Sequence, residues 1–115
     1  MNTTFVSYIN SISFTVSKDY DFDDNEFKTI FQRIWNTTCD EFGKYKDISD
    51  EEIASYKIES DFRIECCNLY TVYFNERKEL PEDNYTFIQM LKNNCTNNGL
   101  KVAVMDRVSS AKVVE

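Results

Sequence analysis

The chain has 115 residues, of which 42% are hydrophobic and 15% aromatic; 20 acidic residues stand against 13 basic ones with no histidine, for a formal charge of -7. These values predict one domain over residues 1–115 and exclude a disordered chain. The absence of histidine excludes Ser-His-Asp triads, Cys-His pairs and imidazole-ligated metals, and two isolated glycines, Gly43 and Gly99, exclude phosphate-cradling and dinucleotide-binding glycine loops.

Residues 5–16 alternate as a long strand. Val6, Tyr8, Ile12, Phe14 and Val16 share one face, with Asn10 as its exception. Phe5, Ser7, Ile9, Ser11, Ser13 and Thr15 share the other, and Asn10-Ser11 is a place for a bend or bulge. An acidic loop follows, and Asp23 or Asp24 then caps a helix with Glu26 in its first turn. Phe27, Ile30, Phe31, Ile34, Trp35 and Phe42 recur at helical spacing, Thr38 or Cys39 fills the remaining turn, and Gly43 is the stop. Ser49 and Glu52 have capping-box spacing, which predicts one further helical turn.

From Tyr56 the period becomes two. Tyr56, Ile58, Phe62, Ile64, Cys66, Tyr70, Val72 and Phe74 share one parity and predict two strands. Their turn falls at Glu59-Ser60-Asp61 or at Cys67-Asn68, the first preferred because it leaves a long second strand to pair with the N-terminal one. Leu80-Pro81-Glu82-Asp83 opens another helix with the stripe Phe87, Ile88, Leu91 and Cys95, and Asn97-Asn98-Gly99 ends it. Leu100, Val102 and Val104 alternate as a last core strand, and residues 107–115 form either a short fifth edge strand or a loose tail. The order predicts an α+β, two-layer sandwich: a ferredoxin-like β-α-β-β-α-β fold with a mainly antiparallel four-stranded sheet and both helices on one face.

The charge is unevenly placed: residues 1–18 sum to +1, residues 19–65 to -8 and residues 66–115 to zero. The densest cluster is Asp19, Asp21, Asp23, Asp24 and Glu26, interleaved with Tyr20 and Phe22. A second contains Asp47, Asp50, Glu51 and Glu52. Such fields repel phosphates and attract basic proteins, so nucleic acid is not an expected direct partner. An EF-hand reading fails, because Asp24 stands where the loop needs glycine and Ile30 where it needs the bidentate glutamate. The carboxylate pairs Glu51-Glu52 and Glu82-Asp83 are explained by helix starts, although carboxylate-based catalysis on a small molecule remains a third reading.

Cys39, Cys66, Cys67 and Cys95 match no zinc or redox spacing, and strand alternation sends Cys66 and Cys67 to opposite faces. Four glycosylation sequons, at Asn2, Asn36, Asn84 and Asn94, read as incidental in an asparagine-rich chain without a secretory signal. No run of 18 apolar residues occurs, so no membrane contact is expected and the expected location is cytoplasmic. Phe5, Ile9, Leu69 and Tyr73 fall on the sheet face away from the helices, where they form a possible second interface, covered by the C-terminal residues or by a second copy in a homodimer.

The overall profile resembles bacterial or phage toxin-immunity proteins and anti-defence inhibitors: one small domain, high acidity, an Asn/Lys/Ile/Tyr-rich composition and no catalytic motif. That resemblance implies a non-enzymatic inhibitor without metal or cofactor. It would neutralise a basic partner, such as a nuclease toxin, through Asp19, Tyr20, Asp21, Phe22, Asp23, Asp24 and Glu26.

Overall fold

The computed structural model describes residues 2–114, the side chain of Val114 apart. The elements in chain order are β1 (Asn2–Val16), α1 (Asp24–Phe42), α2 (Asp50–Ser55), β2 (Lys57–Asp61), β3 (Asn68–Glu79), α3 (Asn84–Asn97) and β4 (Lys101–Val114). The protein is α+β, with three helices and a four-stranded sheet of order β2-β3-β1-β4 in which every pairing is antiparallel.

β1 organises the sheet because its β-branched and aromatic residues pair on both sides. At 15 residues it reaches about 50 Å when extended, close to the molecule's 53 Å long axis. It does not keep one alternation. On β1, Asn10 alone separates the pairs that Ile9 and Ser11 make; on β3 four residues, Phe74 to Arg77, span the same gap. This bulge reverses the parity. Ile9, Ile12, Phe14 and Val16 all enter the core, and Ile9 is fully buried. The sequence-based placement of Ile9 on the outer face is thereby corrected.

α1 forms as its sequence requires. Asp23 accepts from the Glu26 backbone N–H at 2.8 Å while Glu26 accepts from the Asp23 N–H at 3.1 Å, a reciprocal cap. Gly43 terminates the helix at φ 117°, a left-handed conformation suited to glycine. The stripe Phe27, Phe31, Ile34, Trp35, Thr38 and Cys39 is buried. Trp35 sits at the centre of an aromatic cluster, with ring centroids 5.2 Å from Phe87, 6.1 Å from Phe74 and 6.2 Å from Phe31. Its indole N–H donates to the Lys46 carbonyl at 3.2 Å, so the polar end of the ring is satisfied as well. α2 is capped by Ser49, whose hydroxyl accepts from the Glu52 N–H, and Ile53 is its core anchor.

Three strand assignments differ from the sequence reading. The connection between β2 and β3 is neither proposed tight turn but the loop of residues 62–67, so Cys66 and Cys67 leave the strand. β4 runs unbroken to Val114, so residues 107–114 lengthen it instead of adding a fifth strand; Glu115 lies outside the described residues. A second irregularity, between the partners of Ser13 and Phe14, skips Ala103. Val102 and Met105 consequently pack on the core, and Val104 is 61% exposed.

β3 meets β1 only from Tyr8 onward, and the Leu80 N–H closes that seam on the Ser7 carbonyl at 2.9 Å. Residues 2–7 of β1 therefore pair with residues 109–114 of β4 alone, a two-stranded ribbon reaching beyond the main sheet.

Candidate functional site

The acidic loop joining β1 to α1 is held from beneath by β3. The Asn68 amide donates to the Tyr20 carbonyl at 2.7 Å, and the Phe22 N–H donates to the Tyr70 hydroxyl at 2.8 Å. Tyr70 is itself fully buried and stacked on Phe27 with centroids 4.5 Å apart. Phe22 packs against both rings, so it anchors the loop to the core and is not a free contact for a partner. Tyr20 stacks on Phe22 from outside and remains 54% exposed. Asn68 Oδ1 is the one buried side-chain polar atom without a partner among the described residues, an unmet acceptor in the strut under this loop.

Asp19, Asp21, Asp23, Asp24 and Glu26 are all exposed. Asp23 and Glu26 are engaged in the helix cap, and Asp19 accepts from Ser17. Asp21 and Asp24 have no side-chain hydrogen bond to another described residue. The ion pairs among the described residues instead join Lys46 to Glu79, Lys57 to Glu59, Arg63 to Asp61 and Lys78 to Glu52. The nearest base in sequence, Lys18, donates to the Phe62 carbonyl at 2.6 Å. The loop and first helical turn thus carry five carboxylates and no ion pair among the described residues, in a stretch where the helix N-terminus favours negative charge.

The second acidic group is differently placed. Gln32, midway along α1, donates to Asp50 at 2.8 Å and to the Ile48 carbonyl at 3.1 Å, which sets this group against the middle of α1. Asn36 brackets Ile48, accepting its N–H at 2.8 Å and donating to its carbonyl at 3.1 Å, so this sequon asparagine has a structural task. Glu52 turns inward to a largely buried Lys78 at 2.8 Å and also accepts from the Tyr56 hydroxyl. Burial first, and the Glu52 carboxylate second, push the Tyr56 phenol far above its ordinary value. The shifted carboxylates, Glu59 and Asp61, both move down because Lys57 and Arg63 respectively donate to them, Asp61 to about 2.

The four residues proposed as an outer-face patch are not brought together. Leu69 and Tyr73 lie on that face, where Tyr73 donates to Glu59 at 3.1 Å. Ile9 is in the core. Phe5, on the far side of the bulge, shares Ile9's face but sits on the ribbon, 76% exposed. Phe5 lines a groove of about 500 Å³ with Tyr45, Leu80, Pro81, Asn84 and Val113. Sequence alternation missed this groove because it depends on where β3 stops.

Cys39 and Cys95 are buried, and desolvation raises each thiol to about 12, with Asp47 adding to the effect at Cys39. Cys66 and Cys67 are free thiols at the surface loop. Among the described residues no three Cys, Asp or Glu side chains cluster as a metal site, and no helix is long and apolar enough to cross a membrane. No protein-family model, curated protein or solved structure matches this chain.

Proposed function

We propose that the protein is a binding module that neutralises a basic protein, such as a nuclease toxin, by stoichiometric occupation of its positive surface. The observation that carries this reading is the loop between β1 and α1 with the first turn of α1: five exposed carboxylates with no ion pair among the described residues, on a loop fixed to the core through Tyr70 and Asn68. Fixed acids on a supported loop lose little entropy on docking and steer an oppositely charged partner toward them. Tyr20, exposed and backed by Phe22, supplies the aromatic contact at their centre. Phe22 acts indirectly, by holding Tyr20. We also infer the ferredoxin-like arrangement for the scaffold. The order β2-β3-β1-β4 supports it, since each connection bearing α1 or α3 passes over one intervening strand.

The test keeps the helix cap intact. Asp19→Asn, Asp21→Asn and Asp24→Asn are combined, leaving Asp23 and Glu26. With the basic partner recovered from the native host, stopped-flow association at low salt slows about tenfold or more, while dissociation changes little. Association that is insensitive to salt in the native protein, or unchanged in the triple variant, overturns the proposal.

A second reading, an assembly module that forms a homodimer, is favoured by the ribbon. Its β1 edge from Asn2 to Val6 has no strand partner among the described residues, and exposed Phe5 and Val113 flank it. Light scattering that finds a strict monomer at high concentration removes this reading.

A further inference from the structure

Cys66 and Cys67 are adjacent, and in a strand their side chains would diverge. The loop of residues 62–67 brings the two Sγ atoms to 3.9 Å instead. Two sulfurs bound about 2.3 Å from one centre stand about 3.3–3.8 Å apart, from the narrow angle of a pyramidal centre to that of a tetrahedral one. The pair therefore already has nearly the spacing of a bidentate chelate. Cys66 is exposed and Cys67 partly so, which leaves an approach from solvent, whereas Cys39 and Cys95 are buried within separate helices.

The loop is also held at both ends. Lys18 Nζ donates to the Phe62 carbonyl at 2.6 Å, the Phe62 ring packs edge-on against Tyr70 at 5.8 Å, and Asn68 begins β3 with its amide on Tyr20. A chelate on such a loop needs little further ordering of the backbone. No third Cys, Asp or Glu among the described residues joins the pair, so it suits a centre satisfied by two protein thiolates better than a closed four-ligand zinc site.

We propose that Cys66 and Cys67 form a dithiolate site for a thiophilic centre, the chemistry shared by monosubstituted trivalent arsenic and soft divalent cations such as Cd²⁺. With an aryl arsenoxide the step balances without an oxidant. Two S–H bonds and the As=O bond break, two As–S bonds form, one water leaves and arsenic stays trivalent. With a cation the two thiol protons pass to solvent and two metal–sulfur bonds form. The site is independent of the partner-binding reading.

The experiment uses the full, reduced chain with phenylarsine oxide, read by intact mass and peptide mapping, and in a second arm with Cd²⁺, read by thiolate-to-metal charge-transfer absorption. The expected result is one arsenical per chain, mapped to Cys66 and Cys67. Cys66→Ser and Cys67→Ser should each weaken binding about 100-fold or more, because the second bond is then no longer intramolecular. Both substitutions fall in a surface loop, and unchanged circular dichroism checks that the variants fold. Retention of full binding by either variant, absence of an adduct on the native chain, or mapping to Cys39 or Cys95 overturns the proposal. Cd²⁺ binding at one per chain, in competition with the arsenical, extends the site to cations; failure to compete overturns that arm.

Discussion

The two halves of β1 are built from similar residues and have opposite fates. From Ile9 to Val16 the strand lies between β3 and β4 beneath α1, and Ile9, Ile12 and Phe14 are fully buried. From Asn2 to Ser7 only β4 accompanies it, and Phe5 is 76% exposed. β-propensity is equally strong in both halves, so it does not decide burial. A third strand does, and it stops at Ser7, where Leu80 turns away toward α3.

This contrast can be broken or sharpened by substitution. The largest effect belongs to the covered half. Trp35→Ala, which empties the centre of the aromatic cluster, should cost about 3–5 kcal/mol in urea unfolding, a large share of the stability of a domain this size. A loss below about 1 kcal/mol would show that the cluster repacks. Next comes the polar clamp beside it. Asn36→Ala strands the N–H of Ile48, whose carbonyl keeps only Gln32 as a donor, and should cost about 1–3 kcal/mol in the same assay.

Tyr45 stands at the border between the two halves, donating to the Glu79 carbonyl at 2.6 Å on the wall of the groove. Tyr45→Phe should cost about 1 kcal/mol at neutral pH. It should also change the alkaline limb of stability. Burial, then the Glu79 charge, raises the phenol from 10.0 to about 12. The folded state therefore favours the protonated form; that contribution is complete below pH 10 and is lost as pH rises toward 12. Cys39 and Cys95, raised from 9.0 to about 12, begin the same loss nearer pH 9. Unfolding measured from pH 8 to 12 should fall less steeply in the phenylalanine variant between 10 and 12; an unchanged slope would place the phenol in solvent. The smallest effect is on the ribbon. Phe5→Ala should change stability by less than about 0.5 kcal/mol. Amides of residues 2–6 should exchange with deuterium faster than those of residues 11–16.

The helices were legible because their signals are local. Asp23 with Glu26, the stripe from Phe27 to Cys39, and Gly43 all act within a few turns of one another. The strands were legible as strands and misleading as faces. Asn10 stands out as a site for a bulge, yet nothing beside it reveals that Phe74 to Arg77 are skipped across the sheet, and it is that mismatch which turns Ile9 inward. The loop of residues 62–67 was hidden for a related reason. Phe62, Ile64 and Cys66 alternate as a strand would, and no glycine or proline breaks the run. For the acidic loop, composition located the carboxylates, but the role of Phe22 depends on Tyr70, 48 residues away.

The bulge at Asn10 also constrains how the N-terminus of this protein can lengthen or shorten. A single residue inserted between Phe5 and Ile9 would exchange the two faces of everything on its N-terminal side, carrying Phe5 away from the groove. Two residues inserted together would restore every side chain to its face and merely extend the ribbon by about 7 Å. Among descendants of one ancestral chain, length changes in this segment should therefore come in even numbers.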